Sequence, residues 1–151
     1  MKNKKNIVKV LLCLLIVFEL FSVVMMLHGK DYLGTIVHGI LAILFTFLGI
    51  YSINNLSLSS NHSEKNSLEI SNSWVLIIIS LIMLNMIAIH DFDHMRQAMN
   101  WNYKFTLPVL LVNFIVYLPN WLAILLISKR KYIGAIVSVI SGPLIGLSFL
   151  K

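Results

Sequence analysis

Charge is what this chain has least of: 12% of its 151 residues are Asp, Glu, Lys or Arg, and only six of them are acidic. A soluble domain carries about a quarter of its residues as charged side chains, so an ordinary water-facing fold is excluded. Cysteine is nearly absent. Cys13, the only one, lies inside an apolar run, so no intramolecular disulfide can form and the redox compartment leaves no mark. Glycine and proline are missing from 50 to 107, so nothing interrupts a helix across the third apolar run. A basic domain or a basic amphipathic face is missing too. The net charge of +6 comes from short clusters beside apolar runs, which excludes a nucleic-acid partner and points to membrane topology.

What is present is hydrophobic, at 58% of residues and a mean hydropathy of +0.86. About 20 apolar residues cross a bilayer, and five segments meet that requirement: 7–27, 33–53, 74–100, 105–128 and 132–150. The expected fold is therefore an all-α polytopic transmembrane bundle forming one domain over 1–151. A variant has four spans and a re-entrant last segment, because Gly142-Pro143 interrupts it. The Ser- and Asn-rich stretch 54–72 reads as the one polar loop. The basic start resembles a signal-peptide n-region, but the run after it carries Glu19 and lacks a small-x-small cleavage site, so it reads as an uncleaved anchor.

Lys2, Lys4, Lys5, Lys9, Lys65, Lys129, Arg130 and Lys131 fall on one side of this arrangement, and Lys30, Arg96, Lys104 and Lys151 on the other. That imbalance predicts a multi-pass cell-membrane protein with a cytoplasmic N-terminus, an outer C-terminus and a cytoplasmic loop 54–72.

Helical spacing sorts the few polar groups onto faces. Gly134, Ser138, Gly142 and Gly146 recur every four residues, a small-residue ridge for helix packing and a candidate contact with another membrane protein chain. His38, Ala42, Thr46 and Gly49 form a similar seam on the second segment. Thr106, Asn113, Tyr117 and Asn120 make an inward polar stripe on the fourth, flanked by Pro108 and Pro119, which suits either a solute pathway or interhelical hydrogen bonds. Glu19 is the strongest single anomaly. An acid near the middle of a spanning helix must be neutral, paired or hydrated, which makes it a candidate ligand, proton carrier or counter-charge.

The densest chemistry lies in Ile89-His90-Asp91-Phe92-Asp93-His94-Met95-Arg96-Gln97. His90 and His94 stand on adjacent turns, as in the H-E-x-x-H pattern of zinc hydrolases, although here the order is H-D-x-x-H and no further ligand follows at those spacings. With Asp91 and His38 as third ligands, the set suits a divalent transition metal such as zinc, iron or manganese. Haem between two histidines is the less favoured cofactor. The plainer reading is a wetted helix end, with Asp93 and Arg96 paired and Gln97 solvated, and with Trp101, Tyr103 and His28 at the interface. Catalysis is disfavoured, since a metal-dependent membrane hydrolase would need its acid or base from Asp91, Asp93 or Glu19. The sequence thus predicts an outer-face metal site. Its alternative is a metal-free transport subunit, accessory or immunity-type membrane protein, in which Glu19 and the Asn113–Tyr117 stripe matter more.

Overall fold

Apolar runs free of helix breakers become helices because a backbone out of water must satisfy its own polar groups. The computed structural model describes residues 2–58, 67–101 and 104–148, with side chains over 3–58, 67–101 and 104–142. Loop residues 59–66 with Lys65, the side chains of Lys2 and Tyr103, Lys151 and the surroundings of Gly146 lie outside the described residues. Five helices follow in order: α1 (Lys2–His28), α2 (Tyr32–Leu58), α3 (Ile70–Asn100), α4 (Leu107–Ser128) and α5 (Tyr132–Ser148). No strand occurs among the described residues. The first four are long and apolar enough to cross a membrane, whereas α5 is a shorter apolar helix.

Helix α2 runs to Leu58 and α3 starts at Ile70, so the polar loop is shorter than 54–72. Serine does not stop these helices, because its hydroxyl bonds backward along the chain. Ser57 Oγ donates to the Ile53 carbonyl at 2.7 Å and Ser73 Oγ to the Glu69 carbonyl at 3.1 Å. Two lysines of α1 reach across, Lys4 Nζ donating to Ser71 Oγ at 2.8 Å and Lys5 Nζ to Ser57 Oγ at 3.1 Å. The start of α1, the end of α2 and the start of α3 therefore share a basic end. The α4–α5 turn joins them there, since Arg130 Nε donates to the Leu68 carbonyl at 2.7 Å.

Packing makes a ring in which α1 touches α2 and α3, and α4 touches α2 and α3, with α5 laid against α4. Inside it lie Leu15, Phe45, Leu84, Ile87, Leu110 and Ile124. The outside inverts the soluble pattern: Val10, Leu14, Val17, Phe21 and Val24 form one stripe of α1, with Val24 63% exposed. Such a surface is at home against lipid.

Both tight hairpins use the same device. After α1, Lys30 adopts φ 56°, its N–H bonds to the Leu27 carbonyl and the Asp31 N–H to the Met26 carbonyl. After α4, Arg130 adopts φ 58°, with Arg130 N–H on Ile127 and Lys131 N–H on Leu126. This pairing is the Schellman closure, here with a left-handed basic residue where glycine is usual. The helices that follow are alike as well: Tyr32, Gly34, Ile36, Val37 and Ile40 recur as Tyr132, Gly134, Ile136, Val137 and Ile140. Each glycine lets its helix return close to the previous one. A Cβ on Gly34 would lie 2.8 Å from Met26 Sδ, and one on Gly134 would lie 2.7 Å from the Ile127 backbone nitrogen.

Candidate functional site

Each helix of the ring delivers one ionisable group to its centre. Glu19 lies nine residues before the end of α1, His38 six after the start of α2, Asp91 nine before the end of α3 and Tyr117 ten after the start of α4. At about 1.5 Å per residue, all four sit roughly 9–15 Å below the same end of the bundle. That end, opposite the basic one, also holds His28, His90, His94 and Trp101.

Glu19 and His38 meet directly. His38 Nδ1 and Glu19 Oε2 are 2.8 Å apart, with a proton between them, and both side chains are 1% exposed. The contact brings Glu19, near the middle of its helix, level with His38, six residues into α2. The Tyr117 hydroxyl faces Glu19 and Asp91, and its ring is held by Phe45 at a centroid separation of 5.4 Å. Asp91 in turn stands within electrostatic reach of Glu19 and His38. Three buried atoms in this group, His38 Nε2, Tyr117 Oη and Asp91 Oδ2, make no hydrogen bond of good geometry, although the Tyr117 hydroxyl stands close enough to Asp91 and Glu19 to interact with both carboxylates. Unpaired buried polar atoms are costly and call for a reason.

One member of the group, Asp91, also reaches a cavity at this end of the bundle. This cavity of about 420 Å³ has Asp91, His94, Gln97 and Asn113 as its polar lining, with Met26, Trp101 and Phe105 among the apolar walls. Asp91 thus belongs both to the buried cluster and to the cavity. Its mouth is braced by Asp31, which the sequence reading passed over. Asp31 Oδ1 accepts the Gly34 N–H at 3.0 Å, capping α2, and Oδ2 accepts the Phe105 N–H at 2.9 Å, tying down the approach to α4. An aspartate directly before a helix is the signal that would have revealed the cap. Nearer the basic end, Asn85 Nδ2 donates to the Leu11 and Leu81 carbonyls at 3.0 and 2.8 Å, fixing α1 against α3.

The predicted site residues divide into two groups. His90 Nε2 and His94 Nε2 are 2.9 Å apart, so one ring donates and the other, necessarily neutral, accepts. Asp93 accepts Arg96 Nη2 at 2.8 Å and Gln97 Nε2 at 2.7 Å, an exposed cluster at the helix end. His38 and Asp91 do not join His90 and His94, and no group of three or more His, Cys, Asp and Glu converges to hold a metal ion among the described residues. Of the α4 stripe, Tyr117 and Asn120 are buried, Asn113 is half-buried and Thr106 is exposed. On α2, Thr46 is exposed and bonds to its own helix at the Ala42 carbonyl, 2.9 Å away. The described part of the α5 ridge packs within the chain, Gly134 on α4 and Ser138 Oγ 3.1 Å from Ser80 Oγ of α3.

No protein-family profile matches the chain, and neither a curated protein nor a solved structure is significantly similar to it.

Proposed function

We propose that this is an integral membrane protein of transport or sensor type, in which a proton held by a buried carboxylate is exchanged with a cavity open to the outer side. The supporting observation is the placement of Asp91, which lines the cavity and at the same time lies within reach of Glu19, His38 and Tyr117. An imidazole, a phenol and two carboxylates in a sealed space are groups that pass a proton when their separations close. Intramembrane acids that are not simply paired are the usual sites of such exchange. The side follows from charge: Lys4, Lys5, Lys9, Lys129, Arg130 and Lys131 gather at the basic end, against Lys30, Arg96 and Lys104 at the cavity end. The positive-inside rule then puts the N-terminus in the cytoplasm and the cavity outside.

The test is infrared difference spectroscopy of the protein in bilayers at stepped pH. A protonated-carboxyl C=O band that grows on acidification, is lost in Asp91→Asn and persists in Asp93→Asn is the predicted result. A spectrum in which Asp91→Asn removes nothing refutes the reading.

A second reading rests on the His90–His94 contact. Two imidazoles on adjacent turns, one of them exposed, are a chelating pair for a divalent metal whose remaining positions water could fill. Elemental analysis of gently purified protein would then find about one zinc, iron or manganese ion per chain, lost in the His90→Ala/His94→Ala double variant. Metal-free wild type sinks this reading.

A further inference from the structure

The cavity combines an acid with walls that do not suit a hydrated ion. Asp91 is half-buried as a residue, and its Oδ2 is closed off from solvent, with the Tyr117 hydroxyl beside the carboxylate. The ionisable groups that face it are Glu19 from α1, His38 from α2 and Tyr117 from α4, and His94 of α3 shares the cavity lining. Only His38 acts on it as a positive charge, and that charge faces Glu19 as well. His38 is engaged with Glu19 at 2.8 Å, Tyr117 is a phenol, and His94 shares a proton with His90 at 2.9 Å. The nearest arginine in sequence, Arg96, is spent on Asp93. Above the carboxylate stand the indole of Trp101, the ring of Phe105 and the thioether of Met26.

We infer that the cavity binds lipophilic organic cations, the ammonium group against Asp91 and the apolar body among Trp101, Phe105 and Met26. A carboxylate out of water needs a counter-charge, and beside Asp91 the cavity offers one imidazole and the amides of Gln97 and Asn113 among mostly apolar walls, short of the six or more oxygens a hard cation takes. An alkylated ammonium loses little hydration. It also gains from aromatic faces and polarisable sulfur. About 420 Å³ accommodates a ring and a trimethylammonium head together. The inference rests on the reading of Asp91 as the acid reached through the cavity.

Calorimetry on the full chain in lipid nanodiscs tests this with three probes: benzyltrimethylammonium, the neutral benzyl alcohol and the small cation tetramethylammonium. Benzyltrimethylammonium is expected to bind at least about tenfold tighter than either of the others, a difference of about 1.4 kcal/mol. Asp91→Asn is expected to bring its affinity down to that of benzyl alcohol. Equal binding of benzyltrimethylammonium and benzyl alcohol to wild type overturns the inference whether or not the variant folds, and so does an Asp91→Asn protein that keeps the tenfold preference. If the cation fails to bind while the Asp91 carboxyl band still titrates, the ligand class falls and the proton reading stands. Binding without a titrating band leaves a cation site and removes the exchange.

Discussion

Glu19 and His38 are the residues on which the interior depends most. Neither has a water-facing surface and they meet at 2.8 Å, so deleting one strands its partner. Removing one member of a buried pair costs about 3–5 kcal/mol, whereas replacing both with apolar groups is often close to neutral. Thermal unfolding in detergent should therefore show a large loss for His38→Leu and a clear recovery in the Glu19→Leu/His38→Leu double variant. Losses that simply add would contradict the pairing. Glu19 was conspicuous in the sequence because an acid inside an apolar run is anomalous by composition alone. Its partner was not, because the relative depth of two helices depends on where the Gly29-Lys30 turn closes and on how α1 leans. For the same reason His38 and Asp91 read as companions of His90 and His94, when the bundle turns them inward to Glu19 and Tyr117.

At the level of elements, two short devices set how the helices meet. Asp31 caps α2 and holds the backbone ahead of α4, so Asp31→Ala should cost about 2–4 kcal/mol as a lost cap and a lost charge-assisted hydrogen bond. Asp31→Asn keeps the cap and loses the tie to Phe105, so its melting temperature should fall between those of wild type and Asp31→Ala. An Asn variant as unstable as the Ala variant would show that the cap contributes little. Gly134 is a close approach of backbone to backbone, and Gly134→Ala should destabilise by about 1–3 kcal/mol through overpacking. Unchanged thermal stability would mean that α5 shifts freely on α4. The helices themselves were readable from apolar length, and all five were expected. Their ends were less so: serines that back-bond to the preceding turn carry α2 and α3 into what reads as a polar loop. The four-residue ridge on α5 was visible, but not that α4 and α3 would cover its described part.

For the molecule as a whole, scarcity of charge made a helical bundle legible, and the exposed aliphatic stripes agree with it. What hydropathy did not give is the order of helices around the ring. That order places α1, α2, α3 and α4 so that one ionisable group from each meets at a common depth, and it lets Asp91 of that group line the cavity as well. The central claim is that Asp91 is reached from outside through the cavity while His38 is sealed. Single-cysteine labelling in whole cells tests it most directly, using Asp91→Cys and His38→Cys on a Cys13→Ser background and a membrane-impermeant maleimide. Asp91→Cys should label from the outside and His38→Cys should not. Protection of Asp91→Cys from the external reagent, or its labelling only after the cytoplasmic face is exposed, would contradict the account.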